Sequence, residues 1–134
     1  MGYEVGAAVI RQFQGTVVPG LLQTSEYAQA LTAYAIEAVQ VASVVELRLR
    51  RQAYLAKRAS RPRQHYIMDE AVIRRHIGIE ANPAIMPNQL LHIAERAERE
   101  EFLNLGVIPF KTGAHAGLAG PFTLLEFDGG LDDI

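Results

Sequence analysis

Leu105-Gly106-Val107-Ile108-Pro109-Phe110 and Phe122-Thr123-Leu124-Leu125-Glu126-Phe127 are the stretches on which the fold of this chain turns. Both are short, rich in branched and aromatic residues, and bounded by Gly or Pro, which is the pattern of strands. In the second, Phe122, Leu124 and Glu126 fall on one face and Thr123, Leu125 and Phe127 on the other. The Gly/Ala-rich stretch from Lys111 to Gly120 connects them. Upstream, His65 to Met68 favours a strand, through Tyr66 and Ile67, and Thr16-Val17-Val18 is a short extended piece running into Pro19. Helices first and strands last predict an α+β fold. Its helical N-terminal two-thirds would pack on a small antiparallel or mixed sheet formed mainly by the C-terminal third, without alternating βαβ units.

The helical reading rests on spacing and caps. Val5, Val9 and Phe13 predict a short opening helix that Gly15 ends. Pro19-Gly20 marks a turn. Thr24 or Ser25 caps a second helix, with Tyr27, Leu31, Tyr34, Ala35 and Ala38 on one face. Ser43-Val44-Val45-Glu46 matches a capping box. The helix it opens buries Leu47, Tyr54 and Leu55 and exposes Arg48, Arg50, Arg51, Lys57 and Arg58, with Pro62 closing it. Asp69 caps a short helical turn. Pro87 suits the first turn of a further helix that puts Leu90, Leu91, Ala94 and Ala97 inward.

Composition bounds the chemistry. The 134 residues make one domain, 1–134, with a core large enough to need no staple. With no Cys, thiol nucleophiles, disulfides and Cys-ligated metals are excluded. The start has no basic signal region, and the longest apolar stretch, Tyr34 to Val45, is broken by Glu37, Gln40 and Ser43, so no membrane association and a cytoplasmic location are expected. The net charge of −2 conceals an asymmetry: Arg48 to Arg63 holds seven basic residues and no acidic one. Pairing of that segment with the acidic Glu95–Glu101 stretch is favoured over direct DNA binding.

No catalytic set assembles from the sequence. His65, His76, His92 and His115 lack metal-site spacing, and Ser25, Ser43 and Ser60 sit in no nucleophile elbow. Asp69-Glu70 reads as a cap, because adjacent helical residues do not face each other. The Gly113–Gly120 loop runs into a strand and not a helix, unlike a phosphate cradle. No enzyme activity, cofactor or metal is expected.

Several motifs in order carry a family resemblance. They are Val18-Pro19-Gly20-Leu21-Leu22-Gln23-Thr24 with Glu26-Tyr27-Ala28, then Arg48-Leu49-Arg50-Arg51-Gln52-Ala53-Tyr54-Leu55, then Met68-Asp69-Glu70-Ala71-Val72-Ile73-Arg74-Arg75. Gly78, Met86 and Gln89-Leu90 follow, and then Pro109-Phe110, Gly113-Ala114-His115 and Gly120-Pro121-Phe122. From about Val9 to Phe127 the chain resembles the domain of unknown function that follows an Xre-type helix-turn-helix in actinobacterial, antitoxin-like (WhiJ-like) transcription regulators.

The resemblance implies a non-enzymatic regulatory domain that dimerises and binds a small partner protein encoded nearby, or an effector. It places DNA contact in a helix-turn-helix before residue 1 and a closing strand after Ile134, which leaves an unpaired edge near Phe122–Phe127 for a second copy. The alternative is a small-molecule sensor with an apolar pocket walled by Tyr27, Tyr34 and Tyr54 under a Gly/Ala lid. Partner- or ligand-binding candidates are Tyr27, Tyr34, Arg48, Arg51, Gln52, Tyr54 and His115. A hydrolase using His115 or His65 is the least favoured reading.

Overall fold

A computed structural model describes residues 6–34, 36–58 and 60–127. Its elements run β1 (Val9–Gln14), α1 (Ser25–Thr32), α2 (Ala38–Lys57), β2 (Arg63–Asp69), α3 (Glu70–Arg74), α4 (Ile85–Arg99), β3 (Leu103–Ile108) and β4 (Phe122–Glu126). The four strands form one mixed sheet in the order β3-β2-β1-β4. β1 and β2 pair in parallel, as do β2 and β3, while β4 runs antiparallel to β1. The pair α1 and α2 links β1 to β2, and the pair α3 and α4 links β2 to β3. These are the long crossovers that parallel neighbours require.

The fold is α+β, but the expected sheet of C-terminal strands is corrected. The strands are spread through the chain, and helix pairs alternate with the first three. The main source of the error is β1, which the spacing of Val9 and Phe13 assigned to a helix. In the strand, Ile10, Gln12 and Gln14 share the helix-facing side and Arg11 and Phe13 the other. Two glutamines on the inward side hid the period-2 signal. Val5, which opened the expected helix, lies outside the described residues, as do Ala35 and the segment that precedes the expected closing strand.

The helices cover one face of the sheet. Tyr66, Met68 and Leu103 pack there against Val18, Leu22, Tyr27, Val72, Ile85, Met86 and Ile93. A second cluster joins Ile10 and Leu125 to Ala7 and Leu55. Thr24 caps α1 by accepting from the Tyr27 N–H at 3.2 Å, and Asp69 caps α3 through Ala71 N–H at 2.9 Å. After α3 the chain turns at Gly78 with φ +75°, where a Cβ would meet Ile85 Cδ1 at 2.7 Å and Ala30 Cβ at 2.9 Å. Only glycine fits both the backbone and the space.

Two helices differ from their sequence readings in informative ways. α2 begins at Ala38, not Ser43, so the capping box is an interior turn, and Glu46 pairs forward with Arg50 at 2.8 Å. Of α2, Val45 and Leu55 are buried, while Leu47 and Tyr54 are about half exposed, at 51% and 44%. α4 begins at Ile85 and buries Ile85, Met86, Gln89 and Ile93, leaving Leu90, Leu91, Ala94 and Ala97 toward solvent. A polar Gln89 in the middle of the buried stripe shifts the apparent apolar face by one position. Within these helices Arg50–Glu46 and Arg96–Glu100 are ion pairs that run along the helix.

Candidate functional site

The loop between β1 and α1 organises the molecule. Pro19 leads into a 3-10 turn over Gly20–Leu22, closed by Leu22 N–H donating to Pro19 O at 2.9 Å. Such a turn leaves carbonyls that must find donors once helices cover them. Side chains from three directions supply them. Gln23 Nε2 donates to Val18 O at 2.9 Å, and Gln52 Nε2 donates to Gly20 O at 2.8 Å and to Gln23 O at 3.0 Å. Arg96 Nη1 donates to Leu21 O at 2.7 Å. Gln89, fully buried, donates to Leu22 O and accepts from Thr24 N–H, both at 2.8 Å. The motifs at residues 18–24, 48–55 and 89–90 therefore meet at one place, and most of their polar groups hold the turn.

Beside this turn lies a cavity of 390 Å³ between α2 and the inner side of β1. Gln12 and Gln14 line it from β1 and Thr123 from β4, with Arg48 and Arg51, one helical turn apart, on the α2 side. Ile10, Val17, Val18, Leu21 and Leu31 supply its apolar wall. Arg48 donates through Nη1 to Gln23 Oε1 at 3.2 Å, a neutral acceptor. No carboxylate is among the described residues that line this cavity. Its lining is thus cationic and amide-rich.

Across α2 a second cavity of 610 Å³ separates α2 from α4. Gln52, Arg61, His92, Arg96, Arg99, Glu100 and Phe102 are among the residues that line it. Arg96 clasps Glu100 at 2.8 and 3.1 Å, which holds that carboxyl below its ordinary range. The His92 Nε2 is buried without a hydrogen-bond partner among the described residues, and burial, with Arg96 and Arg99 nearby, pushes the imidazole pKa down. Glu100 thus gives this site a counter-charge of its own.

The sequence candidates are distributed as follows. Tyr27 is a core residue whose hydroxyl accepts the Val18 N–H at 3.0 Å, and burial raises its pKa despite that bond. Tyr34 lies beyond the end of α1 and is 85% exposed, because the helix stops at Thr32. Tyr54 sits on the outer side of α2. Among the described residues no tyrosine lines either cavity. Arg48 and Arg51 do come together at the first cavity, and Gln52 joins the turn. Sequence reasoning did not single out Gln12, Gln14 and Thr123. The alternation of glutamines in Arg11-Gln12-Phe13-Gln14 was the available signal, once the segment is read as a strand.

His115 lies on the opposite face of the sheet. Its loop folds as two short 3-10 turns, Phe110–Thr112 and Ala116–Ala119. Nε2–H donates to Asp69 Oδ2 at 3.0 Å, and Nδ1 accepts from Gly117 N–H at 3.1 Å. Both ring nitrogens are thus engaged in holding the loop, and the tautomer is set by that pairing. The imidazole stands edge-on to Phe13 at 5.7 Å, and Phe13 stacks on Phe122 at 5.9 Å. Glu70 adds a second tie by accepting the Phe110 N–H at 2.8 Å. The loop therefore covers the end of the outer face and cannot close over a cavity on the helical side. Ile67, Phe122 and Leu124 remain half-exposed on that outer face.

Among the described residues no group of three or more His, Asp or Glu could hold a metal ion, and no helix is long and apolar enough to cross a membrane. The chain belongs to a family defined as a domain of unknown function (DUF5753), whose sequence model matches residues 1–134. No curated protein and no solved structure gives a significant match.

Proposed function

We propose that the chain is the non-enzymatic regulatory domain of an Xre-type helix-turn-helix transcription regulator, and that it binds a small effector between α2 and β1. The observation that carries this reading is the 390 Å³ cavity beside the turn on which three sequence motifs converge. Its size suits a small ligand, and it pairs an apolar wall with a few convergent polar groups. α2 is well placed to report occupancy. It is 20 residues long, yet Val45 and Leu55 are its buried apolar anchors among the described residues, and cavities flank it on both sides. A ligand that fills one side shifts how such a helix sits. The engagement of both His115 nitrogens supports a structural role for the residue that looked most like a base. DNA contact belongs, in this reading, to the regulator's helix-turn-helix.

The test is native mass spectrometry of the protein purified from its own cells without denaturation. A retained small molecule that is lost in Thr123→Trp, which fills the cavity from β4, is the expected result. A bare mass for the wild type contradicts the proposal.

A second reading, self-association, is favoured by β4. Among the described residues its outer edge pairs with no strand, and Phe122 and Leu124 beside it are each 51% exposed. A second copy pairing antiparallel at this edge would extend the sheet through a two-fold. Light scattering checks it: a dimer converted to a monomer by Leu124→Lys is expected, and a concentration-independent monomer removes it.

A further inference from the structure

The geometry points to a specific ligand class: we infer that the cavity between α2 and β1 takes a small amphipathic molecule through its oxyanion, a carboxylate or a phosphate ester. The inference rests on the effector reading above and adds the chemistry of the ligand. Arg48 and Arg51 project from successive turns of α2 onto one cavity. Arg48 bonds there to the neutral Gln23 Oε1, and no Asp or Glu is among the described lining residues. A guanidinium partly removed from water gains most from an anion that accepts two of its N–H groups in its plane. Gln12 and Gln14, two apart on β1, and the Thr123 hydroxyl supply neutral donors from the opposite wall. A cation entering this space meets the Arg48 guanidinium, and a neutral head leaves its bond to Gln23 unimproved. The apolar side, with Val17, Leu21 and Leu31, receives a short hydrocarbon body.

The larger cavity across α2 is a poorer anion site despite its arginines. Glu100 already occupies the Arg96 fork and lies 3.7 Å from Arg99, and Arg61 Nε is engaged by donating to Ala56 O at 3.0 Å. That contrast provides the control.

The experiment is calorimetric titration of the whole chain in low-salt buffer with four probes of one length: hexanoate, hexyl phosphate, hexanol and hexylamine. Both anions are expected to bind at least tenfold more tightly than hexanol, with no heat from hexylamine. The tighter of the two anions identifies carboxylate or phosphate as the natural head. Arg48→Met should weaken both anions at least tenfold and leave hexanol unchanged, while Arg99→Met in the other cavity should change nothing. Where Arg48→Met does not fold, by circular dichroism, Arg48→Lys keeps the charge without the fork, and Thr123→Trp should abolish binding of every probe. Hexanol binding as tightly as hexanoate, and lost in Thr123→Trp, overturns the oxyanion inference and leaves the effector reading standing. Binding of anions that is unaffected by Arg48→Met and by Thr123→Trp places them elsewhere and also overturns it. No binding by any probe, together with a bare native mass, overturns both.

Discussion

Replacing Gln89 by Met separates the polar account of this core from an apolar one. Gln89 is fully buried, and its amide spans the chain by donating to Leu22 O and accepting from Thr24 N–H, both at 2.8 Å. Met has nearly the same length and volume, so the change removes two hydrogen bonds with little loss of packing. It leaves the Leu22 carbonyl buried without that donor and the half-buried Thr24 N–H without its acceptor. A stranded buried group costs about 1–3 kcal/mol. With the Thr24 amide taken at the low end, the sum is about 2–4 kcal/mol. That is a large share of the roughly 5–15 kcal/mol a domain has in total. In urea, with a slope near 2 kcal/mol per molar, the midpoint should fall by about 1–2 M with the slope unchanged. Leu91→Ala, on the exposed side of the same helix, should move it by less than about a quarter molar. A Gln89→Met midpoint within that same margin would refute the view that side-chain amides hold the turn.

Other consequences follow from single contacts. A Cβ on Gly117 would lie 2.4 Å from the Phe13 ring, so Gly117→Ala should destabilise by about 1–3 kcal/mol and release the His115 loop, seen as faster hydrogen exchange at Gly117. Gly106→Ala, whose added Cβ would lie 4.0 Å from Ile67 Cγ1, should leave both unchanged. Asp69 is held below the ordinary carboxylate range, first by the Ala71 N–H and then by His115. Its contribution is therefore full above about pH 4 and lost as pH falls through the depressed folded value. Chemical denaturation across pH should show Asp69→Asn closing on wild type only below about pH 4. His92 has the opposite chemistry, since its lowered pKa means that the fold disfavours the protonated ring. Stability should decline as pH falls below about 6.5, and His92→Gln should flatten that part of the profile. An NMR titration of the His92 ring with a midpoint at or above 6.5 would contradict this.

What the sequence made legible depended on which force set each element. Thr24 and Asp69 cap helices locally, and both caps could be read because the acceptor and donor are three or fewer residues apart. β2 and β4 carry ordinary apolar patterns and were found. β1 was misread because its inward positions 12 and 14 are glutamines that face a cavity and not a dry core. The start of α2 was misplaced because a cap motif at Ser43 sits inside a longer helix whose N-cap, Glu37, makes no side-chain bond. The buried face of α4 was shifted because its centre is Gln89. In β1 and α4 a polar residue does inside the protein what an apolar one usually does, and periodicity does not register that. Arg48 and Arg51 were legible as candidates, and the strand residues opposite them were not.

The central claim is that the space between α2 and β1 is a ligand site. Two-dimensional ¹H–¹⁵N NMR of the full chain titrated with hexanoate tests it most directly. The account predicts that the largest shifts, backbone and side-chain amide together, fall on Gln12, Gln14, Arg48, Arg51 and Thr123, with His92 and Phe102 across α2 unmoved. Shifts centred on the second cavity, or spread over the surface without a maximum at these five residues, would contradict it.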